Sequence, residues 1–184
     1  MALFDEFPYL QDDFIVIRKM EEPDVDALLE ITGNEKIYTY IPHFLFRKSR
    51  GSLLTAIRNL AGRDFDKKRY IMPGIYLRNE PGRLIGIAQV FDYRKRENGV
   101  TIGYIVNEAY WHRGVATHAV SLMKDYLLAG QGLSRLVAYV MPDNVRSAGV
   151  LQLNGFERLP EQAEKKDWAG MDSVMTDVYV CTNG

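Results

Sequence analysis

The chain has 184 residues, 47% hydrophobic and 26% charged, with a net charge of −1, enough for one well-filled core of ordinary composition. That balance lacks the basic excess of a nucleic-acid or membrane-surface binder, and a single cysteine, Cys181, excludes an internal disulfide or a cysteine metal cluster. Acids and a proline stand where a leader needs basic then apolar residues, and no apolar run approaches about 18 residues. The expectation is one cytoplasmic domain over residues 1–184.

Residues 14–18 read as a short strand. Pro23 suits the first position of a helix whose face carries Val25, Leu28, Leu29 and Ile31 and which Gly33 ends. Residues 34–47 are mixed and crowded with aromatics around Pro42. A second helix over about residues 51–61 carries Leu53, Leu54, Ile57 and Leu60, with Gly62 as its stop. The period then changes to that of strands: residues 70–77, a turn at 79–82, residues 84–93, a polar hairpin loop at 94–99, and residues 100–106. A helix over 114–129 places Ala116, Val120, Met123 and Leu127 on one stripe. A strand at 136–141 follows, then a helix from Pro142-Asp-Asn144 to Leu153, closed by Asn154-Gly155. Strands at 156–159 and 173–180 end the chain, with 160–172 as the longest loop-like stretch. The order β-α-α-β-β-β-α-β-α-β-β makes an α+β (mixed α/β) domain, a mixed sheet flanked by helices.

The junction between the strand 100–106 and the helix from 114 is the most informative segment. A helix N-terminus offers unpaired N–H groups and the positive end of a dipole, which suit an anion such as phosphate. Arg113 adds a full charge, and Gly114 allows close approach to the main chain. The sequence holds no GxxxxGK[ST] loop, no GxGxxG after its first strand, no HExxH and no GxSxG. His43, His112 and His118 are too dispersed for a zinc site, so no metal is expected.

Trp111-His-Arg-Gly-Val-Ala116 resembles the pyrophosphate-binding motif of the GCN5-related N-acetyltransferases (GNAT), [Q/R]-x-x-G-x-[G/A]. Trp111 departs from the Gln/Arg opening. With its surroundings it is similar to the branch that acetylates the N-termini of ribosomal proteins (Rim-type). Pro142-Asp-Asn144-Val-Arg-Ser147, followed by Leu151-Gln-Leu-Asn-Gly-Phe156, resembles that branch's Asn-x-x-Ser and its helix ending in Gly-Phe. The resemblance covers residues 84–156 by motif and the flanks by architecture.

What it implies is a GNAT fold using acetyl-CoA. The amides of Arg113, Gly114, Val115, Ala116 and Thr117 would hold the pyrophosphate, with the Thr117 hydroxyl as a further donor. The main chains of Ile105 and Val106 would pair with the pantetheine amides, as an added strand does. Asn144 would hydrogen-bond the cofactor's arm, and the strands at 100–106 and 136–141 would splay to admit it. The general-acid tyrosine of many members is replaced by Leu151, so Ser147, the serine of Asn-x-x-Ser, is the expected donor to the sulfur. Glu161, Glu164, Tyr104 and Glu108 are candidate bases.

An α-amino group with a pKa near ~8 deprotonates far more readily than a lysine near ~10.4. The expected reaction is therefore acetyl transfer to a peptide N-terminus or a small amine. The alternatives are a non-catalytic acyl-CoA sensor and an antibiotic-type amine acetyltransferase with an acidic pocket. Residues 38–46, the second helix and the 160–172 loop with Trp168 would meet the acceptor, and pairing near 173–180 could join two copies into a homodimer.

Overall fold

β-Branched residues concentrate in the strands at 15–18, 99–106 and 174–182 of this structure, a computed structural model that describes residues 4, 6–66, 70–168, 170 and 172–183. Its strands are β1 (Leu10–Gln11), β2 (Ile15–Arg18), β3 (Tyr70–Ile71), β4 (Gly74–Leu77), β5 (Glu80–Arg94), β6 (Gly99–Val106), β7 (Arg135–Val140), β8 (Glu157–Lys166) and β9 (Val174–Thr182). They form one nine-stranded sheet in the order β1-β2-β4-β5-β6-β7-β9-β8, with β3 also on β5. Every pairing is antiparallel except β6 with β7.

The helices are α1 (Val25–Gly33), α2 (Arg50–Ala61), α3 (Arg63–Asp66), α4 (Val115–Asp125) and α5 (Val145–Leu153). Ser49 caps α2 by accepting from the Ser52 N–H at 3.2 Å. Alternation along the strands divides the core between the two faces of the sheet. Leu28, Ile31, Leu53 and Ile57 of α1 and α2 pack with Tyr76, Ile87 and Ile105. Val115, Ala119, Val120 and Met123 of α4 and Leu151 of α5 pack with Ile102, Val106, Leu136 and Ala138 on the other face.

Several elements differ from the sequence reading. The single strand expected at 70–77 is two, interrupted by Met72 and Pro73, because proline cannot donate to a ladder. The turn expected at 79–82 closes earlier, pairing Leu77 with Glu80, and Pro81 sits in a register shift of β5 where its missing N–H costs nothing. The helix from 114 is α-helical only to Asp125 and finishes in a π turn over Tyr126–Gly130. Most of the expected 160–172 loop is strand, since β8 runs to Lys166. As an exposed strand at the end of the sheet, β8 is polar on both faces and shows no hydrophobic alternation. The short β1 and α3 carry too few residues to show a period. The homodimer surface expected near 173–180 has no free edge, because β9 is paired with β7 on one side and β8 on the other.

A buried polar knot ties the start of α1 to the sheet. Tyr76 donates its hydroxyl to Asp24 Oδ2 at 2.6 Å, and the Glu21 N–H donates to the same oxygen at 2.8 Å. The Arg18 guanidinium lies over the Tyr76 ring at 3.7 Å. Burial and the Asp24 carboxylate hold the Tyr76 phenol protonated, raising its pKa well above the ordinary tyrosine range. Tyr76→Phe leaves the ring in place and removes one hydrogen bond to a buried charge. It should destabilise the fold by roughly 1.5–3 kcal/mol, read as a lower urea midpoint at unchanged slope.

Candidate active site

The ladder between β6 and β7 is short. It runs through Gly99↔Arg135, Val100↔Leu136 and Thr101↔Val137, and no pairing follows. Past that point the strands part, and a cavity of about 1290 Å³ opens between them. Ile102, Tyr104, Ile105 and Val106 line it from β6, and Ala138, Tyr139 and Val140 from β7.

Strand register decides which main-chain groups face the gap. In an antiparallel pair, successive residues point their N–H and C=O alternately to the two sides. The Asn107 N–H donates to Ile85 O at 2.8 Å, and Ile87 pairs with Ile105. Asn107 and Ile105 therefore turn their main chains to β5, while Tyr104 and Val106 turn theirs to the gap. Of the two residues expected to offer main chain, Val106 faces the opening, and Ile105 contributes a buried side chain to the wall. The Val106 carbonyl accepts the Trp111 indole N–H at 2.8 Å, which fixes the ring at the mouth of the gap.

The loop after β6 ends at Gly114, the cap of α4, with φ 81°. His112 in the same loop also has positive φ, at 60°, a conformation that costs a non-glycine residue about 1–3 kcal/mol and gathers at functional sites. No protein acceptor takes the N–H of Arg113, Gly114, Val115, Ala116 or Thr117 among the described residues. All but Arg113 line the cavity. The Arg113 side chain is exposed and rests over the Tyr110 ring at 5.2 Å, so its guanidinium stands beside the cradle. A Cβ built on Gly114 would meet nothing closer than His118 Cδ2 at 3.7 Å, which leaves the space before these amides open.

Across the cavity, α5 is fixed at both ends. Asn144 Oδ1 accepts from the Ser147 N–H at 3.2 Å, so Asn144 is an N-cap whose amide nitrogen has no protein acceptor among the described residues. At the other end the Gly155 N–H donates to Gln152 O and the Phe156 N–H to Leu151 O, each at 3.0 Å, with Gly155 at φ 81°. This is a Schellman motif, and buried Leu151 and Phe156 are its apolar pair. Asn154 Nδ2 donates to Val150 O at 2.9 Å and to Thr117 O at 3.2 Å, tying α5 to the first turn of α4. Ser147 lines the cavity, its Oγ 2.8 Å from the Tyr104 hydroxyl. Burial raises the Tyr104 phenol to about 12, against the small lowering effect of that hydrogen bond.

The candidate carboxylates are otherwise engaged or peripheral. Glu108 accepts from Lys36 Nζ at 2.6 Å and Asn34 Nδ2 at 2.8 Å, and these hydrogen bonds hold its pKa below the ordinary glutamate value. Glu164 pairs with Lys166 at 2.7 Å. Glu161 is exposed on β8. None of the three lines the cavity. On the α1/α2 side its wall is aromatic, with Tyr40, Phe44, Tyr70, Phe91, Tyr139 and Trp168. The 38–46 segment and Trp168 meet there as expected, whereas no residue of α2 contributes. Among the described residues the ionic lining comprises Asp92 and Asp143 against Lys36, Arg146 and Lys166, without the acidic excess a polycation would require. The contact between Tyr104 and Ser147 was invisible in sequence because it joins residues 43 positions apart.

Comparison with known proteins agrees with this geometry. Residues 15–157 match the family model described as an acetyltransferase (GNAT) domain. The chain is 27% identical over 152 residues to the uncharacterized N-acetyltransferase YoaA of Bacillus subtilis, covering 83% of this chain and 84% of that protein. A GNAT-family acetyltransferase from Bacillus anthracis superposes with a TM-score of 0.80 at 22% identity, over 95% of this chain and 98% of that one. RimL, a ribosomal L7/L12 α-N-protein acetyltransferase solved with coenzyme A, superposes with a TM-score of 0.79 at 18% identity, over 95% and 98% of the two chains. The open β6–β7 edge and the unclaimed amides at the head of α4 thus belong to an acetyltransferase: the chain is a member of the GNAT family.

Proposed function

We propose that this protein is a cytoplasmic enzyme that moves an acetyl group from acetyl-CoA to the α-amino group of a peptide. The observation that carries the reading is a single cavity that joins three features. They are the unclaimed N–H groups at residues 114–117, a strand edge at Tyr104 and Val106 on which the Val106 carbonyl alone is taken, by the Trp111 indole, and the Ser147 hydroxyl. These features fit acetyl-CoA, which would supply the activated thioester. The amides of Arg113 to Thr117 would hold its diphosphate, aided by the α4 dipole and the Thr117 hydroxyl. The main chains of Tyr104 and Val106 would pair with the pantetheine amides. The free Asn144 amide nitrogen would donate to the same arm.

Attack of a neutral amine on the thioester carbonyl forms a C–N bond and breaks the C–S bond, with the electron pair leaving on sulfur. Ser147 is the donor to that sulfur, since Leu151 has no proton to give and is committed to the core. An unpaired N–H on the open edge of β6 is placed for the oxyanion. Among the described residues no carboxylate lines the cavity near Ser147 other than Asp143, which favours an acceptor that needs little help to deprotonate. An α-amino group at ~8 meets that requirement and a lysine at ~10.4 does not. The aromatic, nearly balanced wall supports a peptide with apolar leading residues over a polyamine or aminoglycoside. The ribosomal-protein substrate of RimL, a structural neighbour, points the same way.

Gly114→Val puts bulk before the cradle with its Cβ in ordinary contact with His118, at a left-handed φ of 81° that costs a β-branched residue about 1–3 kcal/mol of stability. It should weaken coenzyme A binding by at least about tenfold in calorimetry, a loss of about 1.4 kcal/mol, while the protein stays folded by circular dichroism. Coenzyme A release should be fastest with peptides of free, apolar N-termini and absent with the same peptides N-acetylated. A preference for spermidine or kanamycin over all such peptides would overturn the peptide reading. Ser147→Ala should lower kcat on the order of 10–100-fold with little change in KM for acetyl-CoA.

A further inference from the structure

Ser147 does not stand alone. Its Oγ lies 2.8 Å from the Tyr104 hydroxyl, where either group can donate, and that hydroxyl also donates to the Ser147 carbonyl oxygen at 3.4 Å, so one phenol proton faces both oxygens of the serine. The two side chains come from opposite walls of the cavity, one from β6 and the other from the first turn of α5. Both line the cavity beside the open strand edge. Tyr104 thus turns its main chain to the gap while its side chain closes on the serine.

A serine hydroxyl has one proton and can point it in several directions. A phenol is the stronger acid of the two, so in a phenol–alcohol pair the phenol is the better donor. When Tyr104 donates to Ser147 Oγ, the serine's own proton is left free to turn away from the tyrosine. We propose that Tyr104 is a positioning residue that receives no proton and gives none up, and that orients the Ser147 O–H toward the departing sulfur. This inference rests on the acetyl-CoA reading above and deepens it. No group is consumed: the C–S electron pair leaves on sulfur, the Ser147 O–H hydrogen-bonds to it, and the proton lost from the acceptor nitrogen balances the one the thiol finally takes from solvent.

Burial supports the assignment by keeping the phenol protonated, its pKa raised to about 12, so the donor persists across the neutral range. The position occupied in many family members by a tyrosine of the α5 helix is Leu151, fully buried. A phenol therefore reaches this region of the cavity from the neighbouring strand. It acts on the serine, the group that would face the sulfur.

The test needs a readout independent of turnover, and the thiol of bound coenzyme A provides one. Its thiolate absorbs at short ultraviolet wavelengths where the thiol does not, so its apparent pKa in the complex can be followed by difference absorbance without any acceptor. A correctly aimed hydroxyl donor lowers that pKa relative to free coenzyme A. His112, Lys36, Lys166, Arg146, Asp92 and Asp143 also line the cavity and supply a background field common to all variants. The wild-type complex should titrate about one pH unit below free coenzyme A. Tyr104→Phe and Ser147→Ala should each return most of that shift, and the double variant should equal Ser147→Ala.

The same four proteins, assayed with the best peptide of the acceptor series, should show kcat reduced on the order of tenfold in Tyr104→Phe. KM for acetyl-CoA should change less than about twofold, and the double variant should be no slower than Ser147→Ala. Effects of Tyr104→Phe that persist in full on the Ser147→Ala background would overturn the positioning role, because a purely structural tyrosine would act there too. A wild-type bound thiol that titrates like free coenzyme A would overturn the proposal outright. Failure of coenzyme A to bind at all would instead refute the acetyl-CoA reading beneath it.

Discussion

The structure depends on a ladder that stops. After Thr101↔Val137 the parallel strands β6 and β7 separate, and the main-chain groups of Tyr104 and Val106 are left without a strand partner in the middle of a sheet. An unmet hydrogen-bonding group away from water costs about 1–3 kcal/mol, so the opening must be held by its flanks. It is: β5 pairs with β6 along the whole of the diverging length, and β9 pairs with β7 from Arg135 to Val140. Each strand is stitched on its outer side and free on its inner side. A ligand that supplies amides to the free edge completes the sheet, and its binding energy adds to stability by mass action.

The second constraint is that both ends of one extended ligand must be met by groups fixed relative to each other. Asn154 provides this. Its side chain bridges the Val150 and Thr117 carbonyls, so the helix that carries Ser147 is bonded to the helix whose first turn carries the cradle. The Schellman motif at Gly155 stops α5 immediately after this contact, and Phe156 locks it into the core beside Leu151. The apolar Leu151 thereby gains a reason of its own. It belongs to the device that holds α5 in place.

Much of this was legible in the sequence wherever the physics is local. Gly114 announced the start of a helix, Asn144 the start of the next and Asn154-Gly155 its stop, and each is found so, since each is a property of a few consecutive residues. The meander and the flanking helices followed from a period that burial of one face imposes. What failed was non-local. The parity of β6 is set by its pairing with β5, so Ile105 and Val106 looked equivalent until the Ile87↔Ile105 register separated them. Strand β8 was read mostly as loop because an exposed edge strand needs no apolar alternation. Arg113 was expected to add its charge to the cradle, and its guanidinium lies over the Tyr110 ring at 5.2 Å.

That last placement bears on how the site selects its ligand. With the Arg113 guanidinium drawn aside, the diphosphate would be held chiefly by main-chain N–H groups and the partial charge at a helix terminus, worth about half an elementary charge. Such donors are directional and fixed, and they do not titrate. They favour a ligand whose oxygens match their spacing over any anion of sufficient charge. The nearly balanced ionic lining on the acceptor side has the same effect, because it adds no strong field that would draw polycations inward. On the proposed acetyl-CoA reading, recognition at both ends of this cavity would rest on shape and hydrogen-bond geometry. The bond between Tyr104 and Ser147 belongs to the same kind of control, because it fixes the direction of one O–H without adding charge to the site.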